Sequence, residues 1–80
     1  MTLTEAIQMR IQKLCKERGI TINKLSTICG ITQSTLNNIF SRENNKPTVS
    51  TIKKICDGLD ITLKDFFDCE IFDELEQEIK

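Results

Sequence analysis

Eighty residues, 39% hydrophobic and 29% charged, suffice for one domain with one core, because so short a chain buries only about 60–65% of its unfolded surface. No apolar run approaches the roughly 20 residues of a membrane span. Met1-Thr2-Leu3-Thr4-Glu5 also lacks the basic-then-apolar order of a secretory leader, so a cytoplasmic protein without a membrane partner is expected. The net charge of −1 conceals a split: residues 1–56 carry nine Lys/Arg against three acids, and residues 57–80 carry two lysines against nine acids.

Thr2 with Glu5 forms a capping-box pattern ahead of a first helix over residues 3–18, with Ile7, Ile11 and Leu14 on one face and Gly19 as its stop. Thr21 caps a second helix over residues 22–29, expected to bury Leu25 and Ile28 and to end at Gly30. Thr32 caps a third over residues 33–41, with Leu36, Ile39 and Phe40 inward. A polar loop over residues 42–47 leads to Thr48 and a fourth helix over residues 49–58, whose inner face is Ile52, Ile55 and Cys56, continued by Leu59. Thr62 caps a short fifth helix over residues 63–68. Three caps are bracketed by apolar pairs at hydrophobic-staple spacing: Ile20 with Leu25, Ile31 with Leu36, and Ile61 with Phe66. Finally Ile71, Leu75 and Ile79 recur at i, i+4, i+8, the stripe of an amphipathic helix over residues 71–80. Strand alternation is absent, so the fold class is all-α. The chain divides into residues 1–68 and an acidic C-terminal helix within residues 69–80.

Cys15, Cys29, Cys56 and Cys69 lie far apart, without a C-x-x-C pair and without any histidine. Zinc ligands usually come in close pairs, so the first three read as small buried hydrophobes, with Cys69 nearer the surface, and no metal is expected. Without histidine or a glycine-rich phosphate loop, no catalytic constellation can be assembled; the chain is not expected to be an enzyme or to hold a cofactor or small-molecule ligand.

The second and third helices are the informative pair. Their caps are eleven residues apart, with only Gly30 and Ile31 between Cys29 and Thr32. A turn this tight makes the helices cross steeply, as in a helix-turn-helix. Burying Leu36, Ile39 and Phe40 leaves Gln33, Ser34, Asn37 and Asn38 outward. These short, uncharged side chains carry both donors and acceptors, which suits a helix reading base edges in the major groove. A face of this kind is often only solvated. Here it carries Gln and Asn in place of the usual Glu and Lys, includes no acid, and is flanked by basic residues.

The segment from Gly19 to Ile39, then Lys46-Pro47-Thr48, then the run from Ile55 to Phe67 with its Gly58-Leu59-Asp60-Ile61-Thr62-Leu63 pattern, resembles the phage-repressor/Cro-type (XRE) helix-turn-helix family in register across about residues 5–67. The resemblance implies a five-helix repressor-like domain acting as a homodimer on an inverted repeat of double-stranded DNA, a transcriptional regulator and most often a repressor. It implies base contacts from Gln33, Ser34, Asn37 and Asn38. It implies phosphate contacts from Asn23, Thr32 and Thr35 and, from the loop, Arg42, Asn44, Asn45 and Lys46. Two departures stand out. Where many members start the second helix with a phosphate-gripping glutamine, this chain has Ile22, with Asn23 or Lys24 as substitutes. Where many pair an arginine late in the first helix with a glutamate ending the third, it has Cys15 and Phe40. In the C-terminal helix, Ile71, Phe72, Leu75 and Ile79 form a candidate dimer interface, with packing onto the domain's own core as the alternative. The rival function is a protein-interaction module, antitoxin-like or adaptor-like, using the same helices.

Overall fold

Five threonines start five helices. In each case the threonine hydroxyl accepts from the backbone amide three residues on: Thr2 from Glu5 at 3.2 Å, Thr21 from Lys24 at 3.0 Å, Thr32 from Thr35 at 3.1 Å, Thr48 from Thr51 at 3.1 Å and Thr62 from Asp65 at 3.0 Å. Each such cap satisfies an amide that the helix itself leaves unpaired and contributes about 1 kcal/mol. The computed structural model describes residues 1–41 and 46–79. It contains α1 (Leu3–Arg18), α2 (Ile22–Cys29), α3 (Gln33–Phe40), α4 (Val49–Leu59) and α5 (Leu63–Phe67), followed by a 3₁₀ turn at Glu70–Phe72. There is no strand among the described residues, and no described helix is long and apolar enough to cross a membrane. Arg42, Asn44 and Asn45, assigned to phosphate above, lie outside the described residues.

The staples close the core. Ile7, Ile11 and Leu14 of α1, Leu25 of α2, Leu36 and Ile39 of α3, and Phe66 of α5 are buried in one cluster with the expected inner face of α4; Ile20, Ile31 and Ile61 pack against its margin. Cys15 is buried there and Phe40 is partly buried against the same cluster, so apolar side chains stand at both positions where the resemblance pointed to an ion pair. Burial raises the thiol pKa values of Cys15 and Cys56. It also pushes Cys29 up to about 11, with the neighbouring Cys15 and Cys56 adding to the effect. These thiols stay protonated near neutrality, as packing groups do.

Two expectations need correction. Ile28 is 41% exposed, while the small polar Ser26 is buried and satisfies its hydroxyl on the Asn23 carbonyl at 2.7 Å. The cause is the rotation of α2 about its axis. At about 100° per residue, Ile22, Leu25, Ser26 and Cys29 form one stripe, and Ile28 falls roughly 110° from its centre. That stripe lies against α4 at Gly58, where a Cβ would meet Cys29 Sγ at 2.5 Å and Cys29 Cα at 2.9 Å. The second correction concerns Arg10, one of the nine Lys/Arg counted above over residues 1–56. It is only 9% exposed, and its guanidinium donates to the carbonyls of Phe66 (Nε, 2.7 Å) and Asp65 (Nη2, 2.9 Å). It thereby ties α1 to the carbonyls ending α5, where a cation also suits the helix dipole.

The C-terminal amphipathic helix does not form. After α5 the chain makes only the turn Glu70–Phe72, and residues 73–79 carry no helix. Phe72 packs against the core and meets the rings of Phe66 and Phe67, with centroids 6.2 and 5.0 Å apart. Ile71 and Leu75 are half-buried, while Ile79 is 89% exposed, so the expected stripe has no common face. About ten residues is too short to be helical without packing along its whole length, and Glu76 and Glu78 would sit at the end where the dipole disfavours acids.

Candidate nucleic-acid interface

The turn between α2 and α3 rests on Gly30, which adopts φ 66° and ψ 27°, a left-handed conformation that glycine reaches without the strain a Cβ would bring. This turn, with Leu25 and Leu36 buried on either side of it, sets α3 across α2 and leaves one full face of α3 in solvent. Gln33, Ser34, Asn37 and Asn38 are all exposed on that face, together with Thr32 and Thr35. A part-buried tie fixes the other end: Gln8 of α1 donates from Nε2 to the Ile39 carbonyl at 2.7 Å. The helix is thus held at both ends by groups that do not occupy its outer face.

Asn23 and Gln33 are brought together. Gln33 Nε2 donates to Asn23 Oδ1 at 2.6 Å, bridging the first turns of α2 and α3. The bond orients the Gln33 amide, leaving its Oε1 and the Asn23 amide nitrogen for partners from outside. Ile22, standing where the family's glutamine is expected, packs against the core instead. Asn23 therefore supplies the polar group one position on, and Lys24 is exposed beside it. Thr32 and Thr35 meet hydroxyl to hydroxyl at 2.8 Å, one donating to the other, which leaves one of the two hydroxyl protons for an incoming acceptor. Ser34, Asn37 and Asn38 are exposed on the same helix.

A depression runs from α3 to the start of α4, lined by Thr35, Asn38, Lys46, Pro47, Thr48 and Thr51. Thr48 and Thr51 meet hydroxyl to hydroxyl at 3.0 Å, repeating the Thr32–Thr35 arrangement at the next N-terminus. Thr51 is not among the residues singled out from sequence; its three-residue offset from the Thr48 cap is the signal that marks it. Lys46 lies at the edge of this depression and is the loop cation that the structure describes. Its ammonium is 3.3 Å from Glu78 Oε1, a pairing without a local sequence signal. On α4, Lys53 pairs with Asp57 one turn on, and this hydrogen bond raises the lysine pKa. Donors, acceptors and cations are therefore placed around an uncharged α3 face.

This geometry agrees with the comparisons to known proteins. The sequence matches the family model of the Cro/C1-type HTH DNA-binding domain over residues 10–71. It is 31% identical over 71 residues to the "SPbeta prophage-derived uncharacterized HTH-type transcriptional regulator YopS" of Bacillus subtilis (strain 168), covering 89% of this chain and 96% of that protein. Among solved structures, the prophage Lp1 protein 11 superimposes with a TM-score of 0.83 at 35% identity, covering 94% of this chain and 99% of that one.

Proposed function

The chain belongs to the Cro/C1-type helix-turn-helix DNA-binding family, and from that premise we propose that it is a cytoplasmic transcriptional repressor that binds an inverted-repeat operator as a homodimer. The observation that carries the base-reading role is the α3 face itself: Gln33, Ser34, Asn37 and Asn38 are exposed, uncharged and held on a helix fixed at both ends. In the major groove, Gln and Asn amides can bond adenine N6 and N7 together, each such pair giving about 1–3 kcal/mol of discrimination. Half-sites containing A·T pairs are therefore expected. Asn23, Lys24, Thr32, Thr35 and Lys46 contact phosphate around that face and fix register without reading sequence. Repression is by occupancy, so no bond need be made or broken.

One short recognition helix offers few contacts, so two protomers on one face of the duplex, with half-sites about 34 Å apart, supply the missing affinity. Of the expected dimer contacts, Phe72 packs on its own core and Ile71, Leu75 and Ile79 share no face, so no dimer contact is assigned to the C-terminal segment. Selection from a random duplex pool tests the reading. The wild-type protein is expected to enrich an inverted repeat that Gln33→Ala/Asn38→Ala loses while retaining non-specific binding. Enrichment of nothing by the wild type, even at low salt, would reject operator recognition in favour of a protein-interaction scaffold.

A further inference from the structure

The acidic end of the chain lies beyond the residues matched by the family model, 10–71, and is folded back onto the body. The Glu76 amide donates to the Met1 carbonyl at 2.9 Å, laying the segment across the start of α1. Two residues on, Glu78 reaches Lys46. Thr2, Leu3, Lys46, Glu76 and Glu78 line the concavity so formed. Lys46 thus borders two depressions: this one, edged with carboxylates, and the one between α3 and α4, edged with hydroxyls and amides. Residues 73–79 bring Asp73, Glu74, Glu76 and Glu78 with no compensating cation of their own.

We propose that residues 73–79 form an autoinhibitory latch, in which the Glu78 carboxylate holds Lys46 in the place of a DNA phosphate. The inference rests on the DNA-binding reading above. Both side chains of the pair are more than half exposed, at 62% and 58%. The pair is consequently weak and open to solvent, and a phosphate can displace the carboxylate. The latch therefore tunes affinity without blocking the site. Duplex DNA draws Lys46 away from Glu78, and the freed acidic segment is repelled from the phosphate backbone. Any partner or modification that lifts residues 73–79 raises affinity for every DNA sequence alike, because Lys46 contacts phosphate and leaves base reading to α3.

The test is a double-mutant cycle on a fluorescein-labelled mixed-sequence duplex, read by anisotropy with wild type, Glu78→Gln, Lys46→Gln and the double variant. Glu78→Gln is expected to tighten binding about twofold to fivefold, the range of an exposed ion pair. Lys46→Gln should weaken binding, and the double variant should bind like Lys46→Gln alone. No tightening by Glu78→Gln overturns the latch, as does equal tightening in the Lys46→Gln background, which would mean general charge repulsion. Zero-length carbodiimide cross-linking supplies a readout independent of affinity: a Lys46–Glu78 amide is expected in the free protein and suppressed by saturating duplex. Absence of the cross-link from the free protein, or its persistence on DNA, overturns the proposal. A cross-link in the free protein with no binding of duplex by any variant rejects the DNA-binding reading instead, and the inhibitory role with it.

Discussion

Gly58→Ala sets two effects of known sign against each other. Inside a helix the change normally gains about 1 kcal/mol, because alanine loses less backbone entropy on folding and glycine is the poorer helix former. Here the new Cβ would lie 2.5 Å from Cys29 Sγ, 2.9 Å from Cys29 Cα and 3.2 Å from Cys29 Cβ. The thiol can rotate, but the Cα is backbone of α2, so relief requires α2 and α4 to separate by several tenths of an ångström. Overpacking of a close-packed core typically costs about 1–3 kcal/mol, and a clash with backbone belongs near the top of that range. After the propensity gain, a net loss of about 1–2 kcal/mol remains, or a Tm lower by roughly 5–15 °C for a domain of this size. Thermal and urea unfolding followed by far-UV circular dichroism measure it. Cys29→Ala/Gly58→Ala should recover part of the loss, because the clash with sulfur disappears while the clash with the α2 backbone stays; a coupling of roughly 0.5–1 kcal/mol is expected. DNA affinity should fall with Gly58→Ala, since α2 carries Asn23 and supports α3. A Tm equal to or above that of wild type would mean that α2 and α4 do not touch at this point, and the explanation of why Ile28 faces solvent would fall with it.

Arg10→Met keeps much of the side-chain volume but leaves the Phe66 and Asp65 carbonyls without their donor, and should destabilise by about 2–4 kcal/mol. It should leave the salt slope of DNA binding unchanged, whereas Lys24→Gln should reduce that slope by about one; a reduced slope for Arg10→Met would place that residue at the DNA interface and refute its structural role. Glu5 and Asp65 are held below their ordinary values of 4.5 and 3.8, first by the Thr2 and Thr62 backbone amides and then by the threonine hydroxyls. A lowered folded-state pKa adds stability that is fully present above the ordinary value and is lost as pH falls through the lowered one. Urea midpoints should therefore decline on the acid side below about pH 4.5, and Glu5→Gln/Asp65→Asn should flatten part of that decline; an unchanged acid limb would argue against both capping boxes. Cys29, with its pKa raised to about 11, should alkylate far more slowly in native protein at neutral pH than in urea, as mass spectrometry can follow. Equal rates would show that its burial is transient.

What a few neighbouring residues control was legible in advance. Each helix start was readable because a threonine hydroxyl and an amide three residues on meet within one turn. The stop at Gly30 was readable because glycine suits the left-handed position past a helix end, and the outward set Gln33, Ser34, Asn37 and Asn38 followed from the placement of Leu36 and Ile39, which is a matter of helical period. What local pattern misplaced depends on distant partners. Arg10 reads as a surface cation on α1 until α5, more than fifty residues away in sequence, presents it with two carbonyls. Ile28 is apolar at a plausible spacing, yet the closeness of α4 at Gly58 selects the neighbouring stripe of α2.

The C-terminal segment shows the same division most plainly. Its i, i+4, i+8 pattern is a local statement about which side chains would share a face if a helix formed. Whether the helix forms depends on packing, and the Phe72 ring and the Met1 carbonyl hold the backbone in another shape. Composition and spacing determined by themselves that this chain is all-α, with a tight helix pair presenting an uncharged polar face among cations. Only the tertiary structure decided that Asn23 holds Gln33 and that Glu78 holds Lys46. Those pairings depend on how whole helices and the chain end are packed, since the residues that meet are ten and thirty-two positions apart.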